Sequence, residues 1–327
     1  MAGMLTYFPS FIYSQLFETP PVPTTDFTGQ TVIVTGSNQG LGFEAARHFA
    51  RLGANLILAC RTVSKAEAAK ADIEKTTGSK TIQVWELDLS RYDSVKAFAK
   101  RVQGLERLDA IVENAGISTM KFAEAEGNEA TITTNVVSTF LLALLVLPKL
   151  RESAKKFNIV PHLTIVSSEV HFFTTFPESQ ADDIFAELND PKKARMWDRY
   201  NVSKAMEVLI CRELTELLAS PTSSRKPFVI LNFLNPGFCH SELANELGMP
   251  VKVLKALLAR TTEVGSRTLV NAVEAGKDSH GMFLSNSKVT PVASWVTSEY
   301  GIKAQKKLWK QFAPILEKIQ PGILVNI

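Results

Sequence analysis

The chain has 327 residues, 45% hydrophobic and 21% charged, and its 36 basic and 33 acidic residues leave a net charge of +3. This composition excludes a disordered, collagenous or disulfide-stapled chain. So small a net charge also excludes the basic surface that nucleic acid or an anionic membrane demands, and no nucleic-acid partner is expected.

The chain opens on an apolar, aromatic stretch, residues 4–17 (MLTYFPSFIYSQLF), and no Lys or Arg precedes Arg47. The basic flank of a secretory signal and the Arg-rich pattern of a transit peptide are both missing. Fourteen residues interrupted by Pro9 are too few for a transmembrane span. Residues 1–29 are expected to form an arm packed on the domain, with peripheral contact to a membrane or a partner left open. The three cysteines, Cys60, Cys211 and Cys239, form no CxxC pair, which fits a reducing, cytoplasmic setting. Cys239-His240 has no partner cluster, so no metal is expected.

From residue 31 short Val- and Ile-rich runs alternate with amphipathic stretches. The runs predict strands at Thr31–Thr35, Asn55–Cys60, Ile82–Leu87, Leu108–Glu113, Leu163–Ser167 and Phe228–Leu234, with a weaker one at Met282–Ser285. The stretches between them predict helices at Leu41–Arg51, Ser64–Thr77, Asp93–Arg101, Glu129–Arg151, Tyr200–Leu218, Glu263–Glu274 and Ile302–Ile319. This alternation predicts an α/β fold. It is a doubly wound parallel sheet of about seven strands with helices on both faces, in a single domain over residues 30–327. Val136–Leu147 is twelve apolar residues ending at Pro148, which reads as a buried helix, with a subunit contact and a homodimer left open. Ligands of such sheets sit beyond the carboxyl ends of the strands.

The motifs fall at those ends. The first strand runs into Gly36-Ser37-Asn38-Gln39-Gly40-Leu41-Gly42 and a helix. Gly36 permits the turn, Gly40 lets backbone N–H groups approach a pyrophosphate, and Gly42 lets helix and strand pack closely, with the helix N-terminus facing the phosphates. The second strand ends at Cys60-Arg61. A carboxylate there would hold a ribose 2′-hydroxyl; the guanidinium of Arg61 suits a 2′-phosphate, so NADP is expected rather than NAD. Asp88, after the third strand and before Leu89, could bond the adenine or cap the next helix. The later strands end at Glu113-Asn114-Ala115-Gly116, Ser167-Ser168 and Asn235-Pro236-Gly237, with Tyr200-Asn201-Val202-Ser203-Lys204 between the last two. Tyr200 and Lys204 share a helix face, and the lysine cation is expected to lower the phenol pKa, making Tyr200 a general acid/base. A serine hydroxyl could bond the reacting carbonyl oxygen. Tyr92 and Lys96 have the same spacing, but no strand-end serine precedes them, and they read as a surface pair.

Over about residues 29–290 the sequence resembles the short-chain dehydrogenase/reductase family. Thr35 to Gly42 match its Thr-Gly-x-x-x-Gly-x-Gly loop, Asn114-Ala115-Gly116 its Asn-Asn-Ala-Gly turn with Glu113 replacing the first Asn, and Tyr200 and Lys204 its Tyr-x-x-x-Lys pair. The resemblance implies a Rossmann-type domain and a catalytic set of Asn135, Ser168 (with Ser167 as runner-up), Tyr200 and Lys204. It implies NADP(H) contacts at Gly36, Asn38, Gly40, Leu41, Gly42, Arg61, Asp88, Leu89, Asn114, Gly116, Tyr200, Lys204, Pro236, Gly237 and Ser241. In the implied reaction, hydride passes between the nicotinamide and a carbonyl carbon, Tyr200 protonates the oxygen, and Ser168 polarises it. Lys204 lowers the Tyr200 pKa and binds the ribose, and Asn135 holds a water that links Lys204 to a proton relay.

Two segments are expected to act as substrate lids, near residues 171–199 and 238–260; the second is rich in Leu, Val and Met, which suggests a lipophilic carbonyl or alcohol. His171 could face that substrate or pack in the body. The extensions resemble the retinol-dehydrogenase-like branch and its fungal natural-product relatives, implying ketoreductase chemistry in secondary metabolism. Two other readings remain: a non-redox cyclase or isomerase on the same scaffold, and a nucleotide sensor or scaffold.

Overall fold

The computed structural model describes residues 2–220, 223–240, 255 and 257–327. Seven strands run parallel: β1 Thr31–Thr35, β2 Asn55–Cys60, β3 Ile82–Glu86, β4 Ala110–Glu113, β5 His162–Val166, β6 Ile230–Asn235 and β7 Phe283–Ser285. An eighth, β8 Lys288–Val289, returns antiparallel to β7 and gives the order β8-β7-β6-β5-β4-β1-β2-β3. The expected strand set is present with ends shifted by one or two residues. The additional strand is two exposed residues with no apolar run to reveal it.

The chain reverses direction across the sheet between β1 and β4, which opens a crevice at their carboxyl ends. Residues in β1 alternate between two cores. Val32 and Val34 face one layer with Phe49, Leu269 and Val270, while Ile33 faces the other with Phe98, Phe140 and Phe312. A strand buried on both faces needs a continuous apolar run, and TVIVT supplies one.

The helices bordering the crevice are α2 Gly40–Arg51, α5 Ala130–Phe157, α6 Met196–Leu218 and α7 Thr262–Glu274; the others are α1 Ala2–Phe17, α3 Val63–Thr77, α4 Tyr92–Gln103 and α8 Glu299–Ile319. By length and composition α5 could cross a membrane, but 89% of its most apolar window is buried inside the protein. Leu141, Leu142, Leu144 and Val146 are its core side chains. Pro148 does not end α5, which continues to Phe157.

The arm is a helix. Phe11 of α1 is buried edge-on to Phe238, and Tyr7 stacks on Phe172 with ring centroids 3.9 Å apart. Arg260 ties the arm down by donating to the carbonyls of Ser14 at 2.6 Å and Glu18 at 2.7 Å. Phe8, Tyr13, Leu16 and Phe17 remain exposed on its outer side. Much of the segment expected as a first lid packs on the C-terminal part: Phe176 is fully buried, and the Tyr300 hydroxyl donates to the carbonyl of Thr175 at 2.8 Å. The second expected lid falls largely on 241–254, outside the described residues.

Candidate active site

The glycine loop uses backbone that favours glycine. Gly36 and Gly40 have φ of +65° and +62°. A Cβ on Gly42 would lie 2.5 Å from the Gly36 carbonyl oxygen and 2.5 Å from Asn114 Nδ2, whereas one on Gly40 would meet nothing within 4 Å. The loop therefore closes tightly on the protein side and stays open at Gly40, the side a pyrophosphate would occupy. The first turn of α2 carries no acidic residue, so its positive end is not offset there. Asn38 and Leu41 are half-buried beside it.

Asn114 braces this loop. Its Nδ2 donates to the Thr35 carbonyl at 2.9 Å, and its own amide donates to Thr35 Oγ1 at 2.9 Å. Arg61 is exposed at the end of β2 and makes no hydrogen bond or ion pair among the described residues. Asp88 Oδ1 accepts from the Ser90 amide at 3.0 Å and hydroxyl at 2.7 Å, a turn-capping use, and the Leu89 side chain enters the core.

Asn135, Ser168, Tyr200 and Lys204 come together on the carboxyl edge with Gly116. Thr133–Ser138 is wound as a π-helical stretch within α5, and this carries the Asn135 side chain. Its Oδ1 accepts from the Ile117 amide at 2.8 Å, and its Nδ2 donates to the Ile117 carbonyl at 2.9 Å and Ser203 Oγ at 3.0 Å. The amide of Asn135 is thus spent on bracing the loop after Gly116 against α6. Gly116 is small because a Cβ there would lie 3.1 Å from Asn135 Oδ1.

The two candidate serines separate by direction. Ser167 Oγ donates to the Lys204 carbonyl at 3.1 Å, away from the cleft, while the Ser168 hydroxyl accepts from the Val170 amide at 3.3 Å and lies near enough to Tyr200 to pull its pKa down. Lys204 Nζ lies 5.8 Å from the Tyr200 ring centroid and donates to the Val166 carbonyl at 2.9 Å and to Glu207 Oε1 at 2.8 Å. The expected lowering of the Tyr200 pKa is not what this geometry produces. Burial pushes the phenol above its ordinary value, Lys204 pulls it down, Glu207 pushes it up again, and the net direction is upward. Glu207 went unrecognised in the sequence, although a Glu three residues after Lys204 on a helix had to lie beside it.

At the end of β6, Gly237 has φ +81°, and a Cβ there would lie 2.8 Å from Arg260 Nη1. Arg260 and α1 therefore sit directly against the Pro236-Gly237 turn, a neighbour that no local motif announced. Ser241 lies outside the described residues. The second Tyr-x-x-x-Lys pair is corrected in part. Lys96 is bonded to Asp93 at 2.9 Å, but Tyr92 is buried and its hydroxyl accepts from Asn128 at 3.2 Å. His171 is fully buried packing.

Comparison with known proteins agrees with this arrangement. A short chain dehydrogenase family profile matches residues 30–171. The chain is 47% identical over 325 residues to the short chain dehydrogenase/reductase dmxR8 of Cryptosporiopsis sp. (strain 8999), covering 97% of this chain and 99% of that one. It is 45% identical to the short-chain dehydrogenase anuD of Penicillium roqueforti, covering 96% and 84%. In fold it is similar to a short chain dehydrogenase of Escherichia coli solved with NADPH, with TM-score 0.58, 23% identity and 81% and 100% coverage. A 3-ketoacyl-(acyl-carrier-protein) reductase of Brucella melitensis solved with NADH gives TM-score 0.59, 19% identity and 80% and 97% coverage. The chain belongs to the short-chain dehydrogenase/reductase family and is an oxidoreductase that works with a nicotinamide cofactor.

Proposed function

We propose that the protein is an NADP(H)-dependent reductase of a lipophilic carbonyl compound, with Tyr200 as the acid/base. The observation that carries this reading is the meeting of Ser168, Tyr200 and Lys204 at one edge of the sheet, beside the glycine loop. Gly36, Gly40 and the first turn of α2 would hold the pyrophosphate, Arg61 the 2′-phosphate, and Lys204 the nicotinamide ribose. The bound cofactor supplies or accepts the hydride at the carbonyl carbon.

The residues of the chain do the rest. Ser168 donates to the carbonyl oxygen and polarises it. Tyr200 delivers the proton that turns the developing alkoxide into an alcohol. A phenol that burial holds above its ordinary pKa keeps its proton until the carbonyl oxygen takes it, which suits reduction. Tyr7 packs on Phe172 and Phe173, and Phe11 on Phe238, so aromatic side chains join the arm to the segments after Ser168 and Gly237, in keeping with a lipophilic substrate. The fungal relatives support a place in secondary metabolism. The cysteines are free and buried, in keeping with the cytoplasm.

The test is NADPH oxidation measured against a panel of lipophilic ketones and aldehydes, with Tyr200→Phe beside the native chain. The expected result is turnover by the native chain and its loss in the variant, with NADPH binding kept. Turnover that survives in Tyr200→Phe overturns the assigned acid.

A further inference from the structure

Behind Lys204, on the side away from the cleft, three ionisable groups are buried together. Glu207 lies one turn along α6, Cys211 one turn further, and Glu113 ends β4; all three are nearly excluded from solvent. Glu207 Oε1 is 2.8 Å from Lys204 Nζ. Its other oxygen, Oε2, and both carboxyl oxygens of Glu113 are buried without a hydrogen-bond partner. Glu207 alone contacts the lysine, and Glu113 stands behind it, within reach of the Glu207 charge. A buried carboxylate without a counter-charge is costly. Burial raises the Glu207 carboxyl to about 7 against the pull of Lys204, so its charge is present from the neutral range upward, while Glu113 has no cation to hold a charge of its own. Burial and the Glu207 charge together hold the Glu113 pKa well above the carboxylate range, so Glu113 keeps its proton.

This arrangement bears on the acid. Lys204 spends two N–H groups on the Val166 carbonyl and on Glu207, and its charge is offset before it reaches the phenol. We propose that Glu207, backed by a neutral Glu113, is a positioning residue for Lys204: it draws the ammonium toward β5 and α6 and offsets its charge. Tyr200 thereby keeps its proton, and carbonyl reduction extends to a higher pH than a lone lysine would allow. Tyr200 meets Lys204 and Glu207 on its own helix and Ser168 from the loop after β5, while Glu207 meets Lys204, Ser167, Cys211 and Glu113. The inference rests on Tyr200 being the acid.

The experiment is the pH profile of kcat/KM for NADPH-dependent reduction and for the reverse oxidation, measured on the native chain and on Glu207→Gln. The glutamine carbonyl can still accept from Lys204 Nζ, so a purely structural contact survives while the charge is removed. The alkaline limb of reduction and the rise of oxidation should both move down by about one to three pH units. Should Glu207→Gln give no folded protein, Glu207→Asp withdraws the charge by one methylene, and a smaller shift in the same direction is expected. An unshifted profile in a folded variant that binds NADPH overturns the proposal. Tyr200→Phe separates the two failures. If that variant is inactive and the Glu207→Gln profile stays in place, Glu207 alone is misassigned. If it turns over, the acid itself is.

Discussion

The buried ring of His171 joins two distant parts of the chain: Nδ1 donates to the Ser168 carbonyl at 2.7 Å, and Nε2 accepts the amide of Ala293 at 3.2 Å. Accepting at Nε2 requires the neutral ring with its proton on Nδ1. The loop that carries Ser168 is thereby clamped to the segment before α8.

Protonating His171 destroys the bond from Ala293, and burial holds its pKa down to about 4. The folded value lies below the unfolded one of about 6.5. The contribution is therefore complete above pH 6.5 and is lost as pH falls through 4, amounting to about 3 kcal/mol at most. His171→Gln is expected to cost about 1–3 kcal/mol at neutral pH and to lose less stability than the native chain between pH 6.5 and 4. Urea unfolding at a series of pH values checks both; parallel curves contradict the assignment.

Glu169 behaves in the opposite sense. Burial raises its carboxyl to about 7, against the hydrogen bond from Tyr7 and the nearby charge of Arg260. Its folded value lies above the unfolded one, so the stability it contributes is complete below about pH 4.5 and is lost as pH rises through 7. Glu169→Gln should gain on the native chain over that window, by about 3 kcal/mol. A stability difference that does not change with pH rules this out.

Two glycines of one loop should fail differently. Gly42→Ala drives a Cβ into the Gly36 carbonyl and Asn114, at 2.5 Å from each, and should cost on the order of 2–4 kcal/mol of stability. Gly40→Ala meets no atom within 4 Å but must hold φ near +62°, at a cost of about 1 kcal/mol. Its methyl points into the space left for the pyrophosphate. Paired measurements of thermal unfolding and NADPH titration should show Gly42→Ala as mainly unstable and Gly40→Ala as mainly impaired in binding.

Arg61 is exposed and has no partner to release among the described residues, so Arg61→Ala should leave folding unchanged. The Kd for NADPH should rise about tenfold to a hundredfold, the value of a charge-assisted bond, and that for NADH little. Equal losses for the two cofactors would remove the 2′-phosphate assignment.

The parts legible in the sequence are those governed by local rules. Short continuous apolar runs marked the sheet, and the glycine spacing, Tyr200 to Lys204 and the strand-end serines needed only the rule that strand ends share an edge. The directions in which Ser167 and Ser168 turn, the bracing contacts of Asn135 and the burial of Tyr92 were set by tertiary packing. Side-chain direction at a strand end depends on what the neighbouring helix presents.

The sign of the Tyr200 shift marks the boundary most clearly. Four-residue spacing determined that Lys204 stands beside the phenol. Burial, joined by Glu207 from the same helix, decided which effect wins, because desolvation depends on three-dimensional surroundings. The excess length divides in the same way. Composition marked the first 29 residues as an arm without Lys or Arg. Only the folded chain places that arm against the Pro236-Gly237 turn, through Arg260, because its anchoring bonds come from residues more than 240 positions away in the sequence.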